Sequence, residues 1–109
     1  MTDRDWRILD EFKKRISPEI SRNLRKLIVF GSRAKGEESE DSDLDLIALV
    51  DARNDEIDRI LDDIAYQVMW DFDFKPVLSL KVFAEAEFKR CVENGFSFYR
   101  NVEREGLSI

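Results

Sequence analysis

The pattern of apolar and polar positions predicts two amphipathic helices in the first two thirds of the chain. Apolar residues recur at helical spacing over residues 4–16, and Ser17-Pro18 ends this segment because the residue before a proline avoids helical geometry. Asn54 can cap a second helix, since its side-chain oxygen can accept from an unpaired backbone N–H at the helix start. One apolar stripe follows it, formed by Ile57, Ile60, Leu61, Ile64 and Val68.

The same pattern predicts helical structure near the C-terminus. Residues 84–105 have helical character, and Asn94-Gly95 is expected to interrupt them because both residue types favour turns. Gly106 is suited to end the last helix, since glycine readily adopts the backbone geometry that commonly follows one.

Three shorter segments predict strands, because they are apolar, rich in residues that favour strands and bounded by turn formers: residues 26–30, 43–50 and 77–83. The chain also alternates after Trp70, so we expect extended structure there, with Pro76 at an edge or a bulge. The order of elements is helix, strand, strand, helix, strand, helix. It predicts an α/β (α+β) fold with a small mixed sheet of three to four strands flanked by helices.

Length and composition are those of one small domain, residues 1–109. Hydrophobic residues make up 43% and charged residues 39% of the chain, a balance that excludes a disordered segment. Cys91 has no disulfide partner and no histidine to activate it, so we interpret it as a filler residue. The charged N-terminus is unlike a signal peptide, and no apolar run approaches the ~20 residues of a membrane helix. We therefore expect a cytoplasmic protein with no membrane partner.

Charge is distributed unevenly along the chain, whose formal net charge is −6. Residues 1–35 carry ten basic and five acidic side chains, whereas residues 36–73 carry two basic and fourteen acidic ones. An acidic middle disfavours direct binding to nucleic acid, because the phosphates repel it. It is compatible with a site in which carboxylates hold cations and flanking basic residues meet phosphates, although most acidic runs are only solvated surface.

Residues 31–46 fit two familiar motifs only in part. Two glycines have the spacing of a phosphate-binding loop, but Glu37-Glu38 stands where a lysine and a hydroxyl residue are required. Three alternating aspartates begin like a calcium loop, but Leu46 stands where a glycine is needed. Both motifs are therefore excluded.

A third interpretation accounts for the segment better. Gly31 allows the backbone to approach a ligand closely, and Ser32 offers a hydroxyl and a backbone N–H to a phosphate. Asp43 and Asp45 are two positions apart on a strand, so both carboxylates lie on one face. Two like charges this close favour a cation between them, and Mg²⁺ is the oxygen-seeking candidate. The segment thus predicts metal-assisted phosphoryl or nucleotidyl transfer.

The same segment resembles the Gly-Ser and Asp-x-Asp signature of the polymerase-β-like nucleotidyltransferases. It is most similar to their smallest branch, the minimal nucleotidyltransferases (MNT), which often occur as antitoxins beside HEPN toxins. The resemblance extends from about residue 20 to the end of the chain, including residues 98–106, and it implies the nucleotidyltransferase fold. Its two blocks are Gly31-Ser32-Arg33-Ala34-x-Gly36 and Asp41-Ser42-Asp43-Leu44-Asp45-Leu46.

The resemblance implies a role for each of these motif residues. Gly31 and Ser32 would contact the nucleotide phosphates, and Asp43 and Asp45 would be catalytic and would ligate Mg²⁺ or Mn²⁺. ATP would be the substrate. The implied reaction moves a nucleoside monophosphate to a hydroxyl group of a partner, of which a tyrosine of a HEPN toxin is the concrete case.

One expected component of the family site is missing from the sequence. The family has a third carboxylate on a later strand, and its position falls near Ser79. Asp73 is the nearby substitute that could join the metal site, or it could be a solvated turn residue. Arg33 and Lys35 are candidates for phosphate or partner contacts, and a plain surface role is equally open.

Two functions from different classes therefore remain open. The first is an enzyme that transfers AMP to a HEPN-type partner, and the second is a binding module that neutralises such a partner while its catalysis is weak or lost. Phe96, Phe98 and Tyr99 form an aromatic stretch that either contacts a partner or covers the domain's own core. The sequence leaves open whether the chain forms homo- or hetero-oligomers.

Overall fold

A four-stranded mixed sheet with helices on both faces forms the domain, which confirms the predicted fold class. The computed structural model describes all 109 residues. None of its helices combines the length and the apolar character that crossing a bilayer requires. The elements, in chain order, are α1 (Asp3–Lys14), α2 (Pro18–Asn23), β1 (Leu24–Phe30), β2 (Leu44–Val50), α3 (Asp55–Asp71), β3 (Leu78–Ala84), α4 (Glu85–Glu93), α5 (Ser97–Glu105) and β4 (Leu107–Ser108).

The strands lie in the order β3-β2-β1-β4, so β2 and β1 are the inner strands. β1 pairs antiparallel with β2 and with β4, while β2 pairs parallel with β3. A parallel pair cannot be joined by a tight turn, and α3 lies in the crossover between β2 and β3. The register places Asp45 opposite Phe30 on one side and opposite Ser79 on the other. Asp45 therefore lies between the end of β1 and the start of β3.

Side chains alternate along β2 and divide between two cores on opposite faces of the sheet. The larger core lies under α1 and α3 and includes Leu44 and Leu46, whereas the smaller core lies under α4 and α5 and includes Ile47 and Leu49. Burial on both faces explains why this strand is apolar at almost every position. Asp45 has the same parity as the residues of the smaller core, but it is only half-buried.

Side-chain caps fix the starts of three helices. At α1, Thr2 and Asp5 form a reciprocal capping box. Asn54 caps α3 as predicted, with its side-chain oxygen accepting from the backbone N–H of Ile57. The expected break at Ser17-Pro18 also starts a short helix, α2, because serine caps it and proline is favoured in the first helical turn.

The extended structure expected after Trp70 is wrong. Helix α3 continues to Asp71, and a tight turn follows in which Asp73 and Phe74 have φ angles of 57° and 56°. Arg4 of α1 holds this turn by donating to two of its carbonyl oxygens, those of Phe72 and Lys75. This contact joins residues about 70 positions apart in the sequence. The local alternation of apolar and polar residues therefore could not indicate the turn.

The C-terminal helices follow the predicted pattern, and a short strand comes after them. α4 and α5 are separated at the predicted break, where Gly95 has a φ of +83°. α5 ends immediately before Gly106, as expected. Glycine is needed at this position for lack of space and not for left-handed geometry, because the φ of Gly106 is −69°. A Cβ there would collide with Ile28 and with the carbonyl of Val102. This close approach lets β4 pair with β1.

Candidate active site

The candidate site lies where β1 ends and β2 begins. Gly31 follows β1 directly and has a φ of +87°, a region that other residues rarely adopt. A Cβ at this position would lie 2.6 Å from the Oδ2 atom of Asp45. The backbone of the glycine turn and the carboxylate of the Asp-x-Asp motif are therefore in direct contact, and only glycine fits between them.

The segment after Gly31 is a series of tight turns. The backbone N–H of Lys35 donates to the carbonyl of Gly31, and that of Glu37 donates to the carbonyl of Ser32. Ser32 itself is half-buried beside the end of β1. At Gly31 the curved backbone lies next to Asp45, and Ser32 follows directly in the chain. A curved backbone of this kind is suited to an anion.

Arg33 is buried in the structure. The sequence suggested either a phosphate or partner contact or a plain surface role for it, and both predictions are wrong. It is 4% exposed, and one guanidinium nitrogen lies 3.0 Å from both carboxylate oxygens of Asp5, which is fully buried. Its other nitrogens donate to the carbonyl oxygens of Ser42, at 2.9 Å, and Ser39, at 3.2 Å. Arg33 thus ties the loop between β1 and β2 to the first turn of α1.

Lys35 is paired within the chain. Its ammonium lies 2.9 Å from a carboxylate oxygen of Glu105 at the end of α5. The hydrogen bond and the opposite charge raise the pKa of Lys35 and lower the pKa of Glu105. Both side chains are partly exposed, so the ion pair adds little stability, but it connects the glycine turn to the last helix.

Asp43 and Asp45 stand in different environments at the start of β2. Asp43 is exposed, whereas Asp45 is half-buried. Burial raises the pKa of Asp45 above its ordinary value, the charge of Asp43 raises it further, and the charge of Lys81 lowers it. Ionising a partly buried carboxyl group is costly, but a neighbouring cation makes its ionised form favourable. This pair is therefore suited to a divalent ion.

Ser79 lies where the sequence places the missing third acid. It is the register partner of Asp45 across the parallel pair of β2 and β3. Both residues line a small cavity of about 100 Å³, together with Phe30, Leu46, Ile47, Lys81 and Phe98. The position opposite Asp45 therefore carries a hydroxyl and not a carboxylate.

Asp73 is not brought together with Asp43 and Asp45, so its proposed place in a three-acid metal site is wrong. It lies in the turn after α3 and lines a different cavity, which it shares with side chains of α1 such as Arg7 and Lys14. The chain contains no group of three acidic, cysteine or histidine side chains that could hold a metal ion. The turn after α3 explains this outcome, because it replaces the strand that would have aligned Asp73 with the sheet.

Sequence reasoning did not single out Lys81, and it named Phe98 only as part of the aromatic stretch and not as a neighbour of Asp45. Lys81 is the one charged residue of β3 and follows Ser79 by two positions, so alternation alone could have placed it on the same face. Phe98 contacts Phe30 edge to face, with the ring centroids 5.8 Å apart. No sequence signal connects α5 with the end of β1.

The aromatic stretch near the C-terminus covers part of the domain's own core, and its contact with a partner stays a prediction. Tyr99 packs edge to face against Phe83 and Phe88 and so covers the domain's own smaller core. Phe96 and Phe98 remain 56% and 36% exposed. These two exposed rings are available to a partner beside the candidate site.

Comparison with known families agrees with this geometry. The sequence profile of the family described as "Nucleotidyltransferase domain" matches residues 7–105, nearly the whole chain. The chain belongs to this family. The family description and the name of the second relative below both support a nucleotidyltransferase.

Two similar proteins of Methanocaldococcus jannaschii bear the provisional name protein adenylyltransferase. The first is 46% identical over 43 residues, which is 39% of this nucleotidyltransferase domain and 43% of that protein. The second is 28% identical over 98 residues, which is 90% of each chain. The first match thus covers less than half of its relative, and the second covers nearly all of it.

A solved structure with the same fold is described as the crystal structure of a toxin-antitoxin with AMP-PNP. Its TM-score to this domain is 0.60, and the match covers 95% of this chain and 70% of that one. Sequence identity is 20%, so the comparison supports the fold alone.

Replacing Gly31 by alanine is expected to weaken binding of ATP with Mg²⁺ by at least about tenfold, because the new methyl group displaces the Asp45 carboxylate. The positive φ should also lower the free energy of unfolding by about 1 kcal/mol. Gly36→Ala is the matched control, since Gly36 has a φ of +72° and a Cβ added there would meet no atom within 4 Å. Calorimetric titration with ATP and Mg²⁺, combined with thermal unfolding, measures both effects. Equal loss of binding in the two variants would contradict the role of Gly31.

Proposed function

We propose that this domain transfers a nucleoside monophosphate, AMP from ATP, to a hydroxyl group of a partner protein. The observation that carries the proposal is the contact between the Gly31 backbone and the Asp45 carboxylate, which joins the phosphate turn and the acidic pair in one site. The family assignment and the provisional name of the two relatives, protein adenylyltransferase, support the same reaction.

The donor set suits Mg²⁺ or Mn²⁺ held jointly by the protein and its substrate. Asp43, which directly precedes β2, and Asp45 within β2 offer carboxylate oxygens close enough for the charge of Asp43 to act on the pKa of Asp45. No larger acidic group encloses an ion. Mg²⁺ commonly binds one or two carboxylates together with substrate phosphates, so these two residues would hold it with the triphosphate. When bound, the ion neutralises charge on the phosphates and makes the phosphorus a better electrophile.

The chain's own residues bind and orient the nucleotide. Gly31 lets the backbone approach the phosphates, and the hydroxyl of Ser32 donates to a phosphate oxygen. The partner's hydroxyl oxygen forms a bond to the α-phosphorus, and the bond from that phosphorus to the α,β-bridging oxygen breaks. Pyrophosphate leaves, and the hydroxyl proton passes to solvent because Ser79 offers no carboxylate to accept it.

We also propose that the partner is a HEPN-type toxin and that a tyrosine of it accepts AMP. The proposal is motivated by the description of the structural neighbour, a toxin-antitoxin with AMP-PNP, which names a protein complex and a nucleotide together. Phe96 and Phe98 support a protein partner as well, because exposed aromatic rings are enriched in protein interfaces and Phe98 lines the cavity that contains Asp45.

A second function is favoured by one observation, the hydroxyl of Ser79 opposite Asp45. Without a carboxylate at this position the attacking hydroxyl lacks an activating group, and loss of a positioned base costs about 100-fold or more in rate. In this second case the chain neutralises its partner by binding, and nucleotide transfer contributes little.

The test is incubation of the chain and its co-expressed partner with Mg²⁺ and ATP labelled on the α-phosphate. We expect label on the partner's tyrosine and release of pyrophosphate, both prevented by EDTA. A partner that is inactive in the complex but unlabelled would support the second function. Failure of the chain to bind ATP when Mg²⁺ is present would refute nucleotidyl transfer by this site.

Binding of ATP is expected to require Mg²⁺ or Mn²⁺, because the bare carboxylates of Asp43 and Asp45 repel the triphosphate. Calorimetric titration with ATP in EDTA should give no measurable heat, and addition of excess Mn²⁺ should restore binding. Undiminished affinity in EDTA would show that the acidic pair does not face the phosphates.

A further inference from the structure

Lys81 lies on the same face of the sheet as Asp45. The parallel register places Ser79 beside Asp45 and Lys81 beside Ile47, one alternation further along β3. Leu78 and Val82, the neighbours of opposite parity, belong to the larger core on the other face. The side chain of Lys81 is exposed, and it lines the small cavity that also contains Asp45 and Ser79.

The ammonium group of Lys81 is not engaged by another residue. It takes part in none of the ion pairs of the domain. It also borders a cavity with Asp58 and Asp62, but Asp58 is paired with Arg53. The raised pKa of Asp62 reflects burial and the charges of its acidic neighbours, whereas the charge of Lys81 acts on the pKa of Asp45.

We propose that Lys81 supplies the second positive charge of the triphosphate site, so that the site takes one divalent cation with its nucleotide and not two. The proposal rests on the proposed function. The ligand of Lys81 is a phosphate group of a nucleoside triphosphate, which would reach the cavity from the side of Gly31 and Ser32.

The available ligands and charges favour this arrangement. A second metal ion beside Asp45 would need a further oxygen ligand from β3, and the facing residue there is Ser79, which provides a neutral hydroxyl. Asp43 and Asp45 together carry two negative charges, which one divalent ion offsets. The ammonium of Lys81 then leaves the site with a positive charge that attracts the triphosphate, and a flexible lysine suits this task because it acts as a point charge.

Lys26 provides a matched control on the same face. It is an exposed strand residue with the parity of Ile28 and Phe30, and its register partner is Leu49. Leu49 is four positions from Asp45, or about 13 Å along the strand. Lys26→Gln therefore makes the same change in net charge as Lys81→Gln, but far from the cavity.

The experiment measures binding of Mn²⁺ by electron paramagnetic resonance in the presence of an ATP analogue with a methylene bridge between its α- and β-phosphates. The wild-type chain is expected to bind one Mn²⁺. Lys81→Gln should weaken binding of the analogue about tenfold at low salt, and less at high salt, whereas Lys81→Arg and Lys26→Gln should retain it. Ser79→Asp combined with Lys81→Gln should bind two Mn²⁺.

Two results would overturn the inference and leave the proposed function intact. One is two bound Mn²⁺ in the wild type, and the other is equal affinity for the analogue in Lys81→Gln and Lys26→Gln. A wild-type chain that binds no analogue at any Mn²⁺ concentration would refute the proposed function, and the role of Lys81 with it. Thermal unfolding of each variant checks that its substitutions leave the fold unchanged.

Discussion

The double replacement Asp43→Asn with Asp45→Asn is expected to abolish nucleotidyl transfer, by more than about a thousandfold, and to leave the fold intact. Neutral amides bind a hard divalent cation far more weakly than carboxylates, so the metal-dependent part of the rate is lost. Labelled ATP and the co-expressed partner measure the transfer. Titration with ATP and Mn²⁺ should show that binding is lost as well.

The same double replacement is expected to maintain or raise the melting temperature in the absence of metal. Burial and the charge of Asp43 raise the pKa of Asp45 in the folded chain, so the folded state holds this proton more tightly than the unfolded state. Its favourable contribution to stability is therefore present below the ordinary pKa of an aspartate and is lost as pH rises through the raised value. Thermal unfolding in EDTA across this pH range should show the loss in wild type and not in the variant.

Exposed acids of the preceding loop provide the control for this experiment. Glu40→Gln with Asp41→Asn removes two negative charges next to the motif but outside the contact with Gly31. We expect this variant to retain both transfer and metal-dependent binding. A large drop in melting temperature for the Asp43 and Asp45 variant would instead assign the acidic pair a structural role.

Replacing Arg33 by methionine is expected to lower the free energy of unfolding by about 3–5 kcal/mol, the cost of leaving a buried charge without its partner. Asp5 is fully buried, and Arg33 is the cation that contacts both of its carboxylate oxygens. The carbonyl oxygens of Ser39 and Ser42 lose their donors too, so the loop that precedes Asp43 should become mobile. Denaturant unfolding measures the stability, and hydrogen exchange of residues 33–42 measures the loop.

Two further variants separate burial from charge. Arg25 and Asp51 form an ion pair whose side chains are about half exposed, so Arg25→Met should cost at most about 1 kcal/mol. Asp5→Asn added to Arg33→Met removes the uncompensated charge and should recover part of the lost stability. A loss of less than about 1 kcal/mol in Arg33→Met alone would mean that the buried pair contributes no more than a surface pair.

The sequence by itself determined most of the secondary structure and half of the candidate site. Helices α1 and α3 follow from apolar residues at helical spacing, and β2 follows from a continuous apolar run, because burial repeats with the period of the element. Two positions of separation on a predicted strand put Asp43 and Asp45 on one face. In the structure β2 begins at Leu44, so Asp43 directly precedes the strand. The fold class and the family could therefore be predicted from local pattern and motif.

The tertiary structure alone decided which residues meet. Asp5 and Arg33 are 28 positions apart, and no periodicity indicates that they form a buried pair. The turn after α3, held by Arg4, overrode an alternating pattern and removed Asp73 from the sheet.

The site was completed by pairing between strands. Ser79 and Lys81 reach Asp45 only because β3 returns parallel to β2 after the α3 crossover, and Phe98 reaches the same cavity because α5 packs across the end of β1. The physical reason is the same in each case: periodicity fixes the direction of a side chain relative to its own element, whereas its neighbours depend on the packing of elements that are distant in sequence.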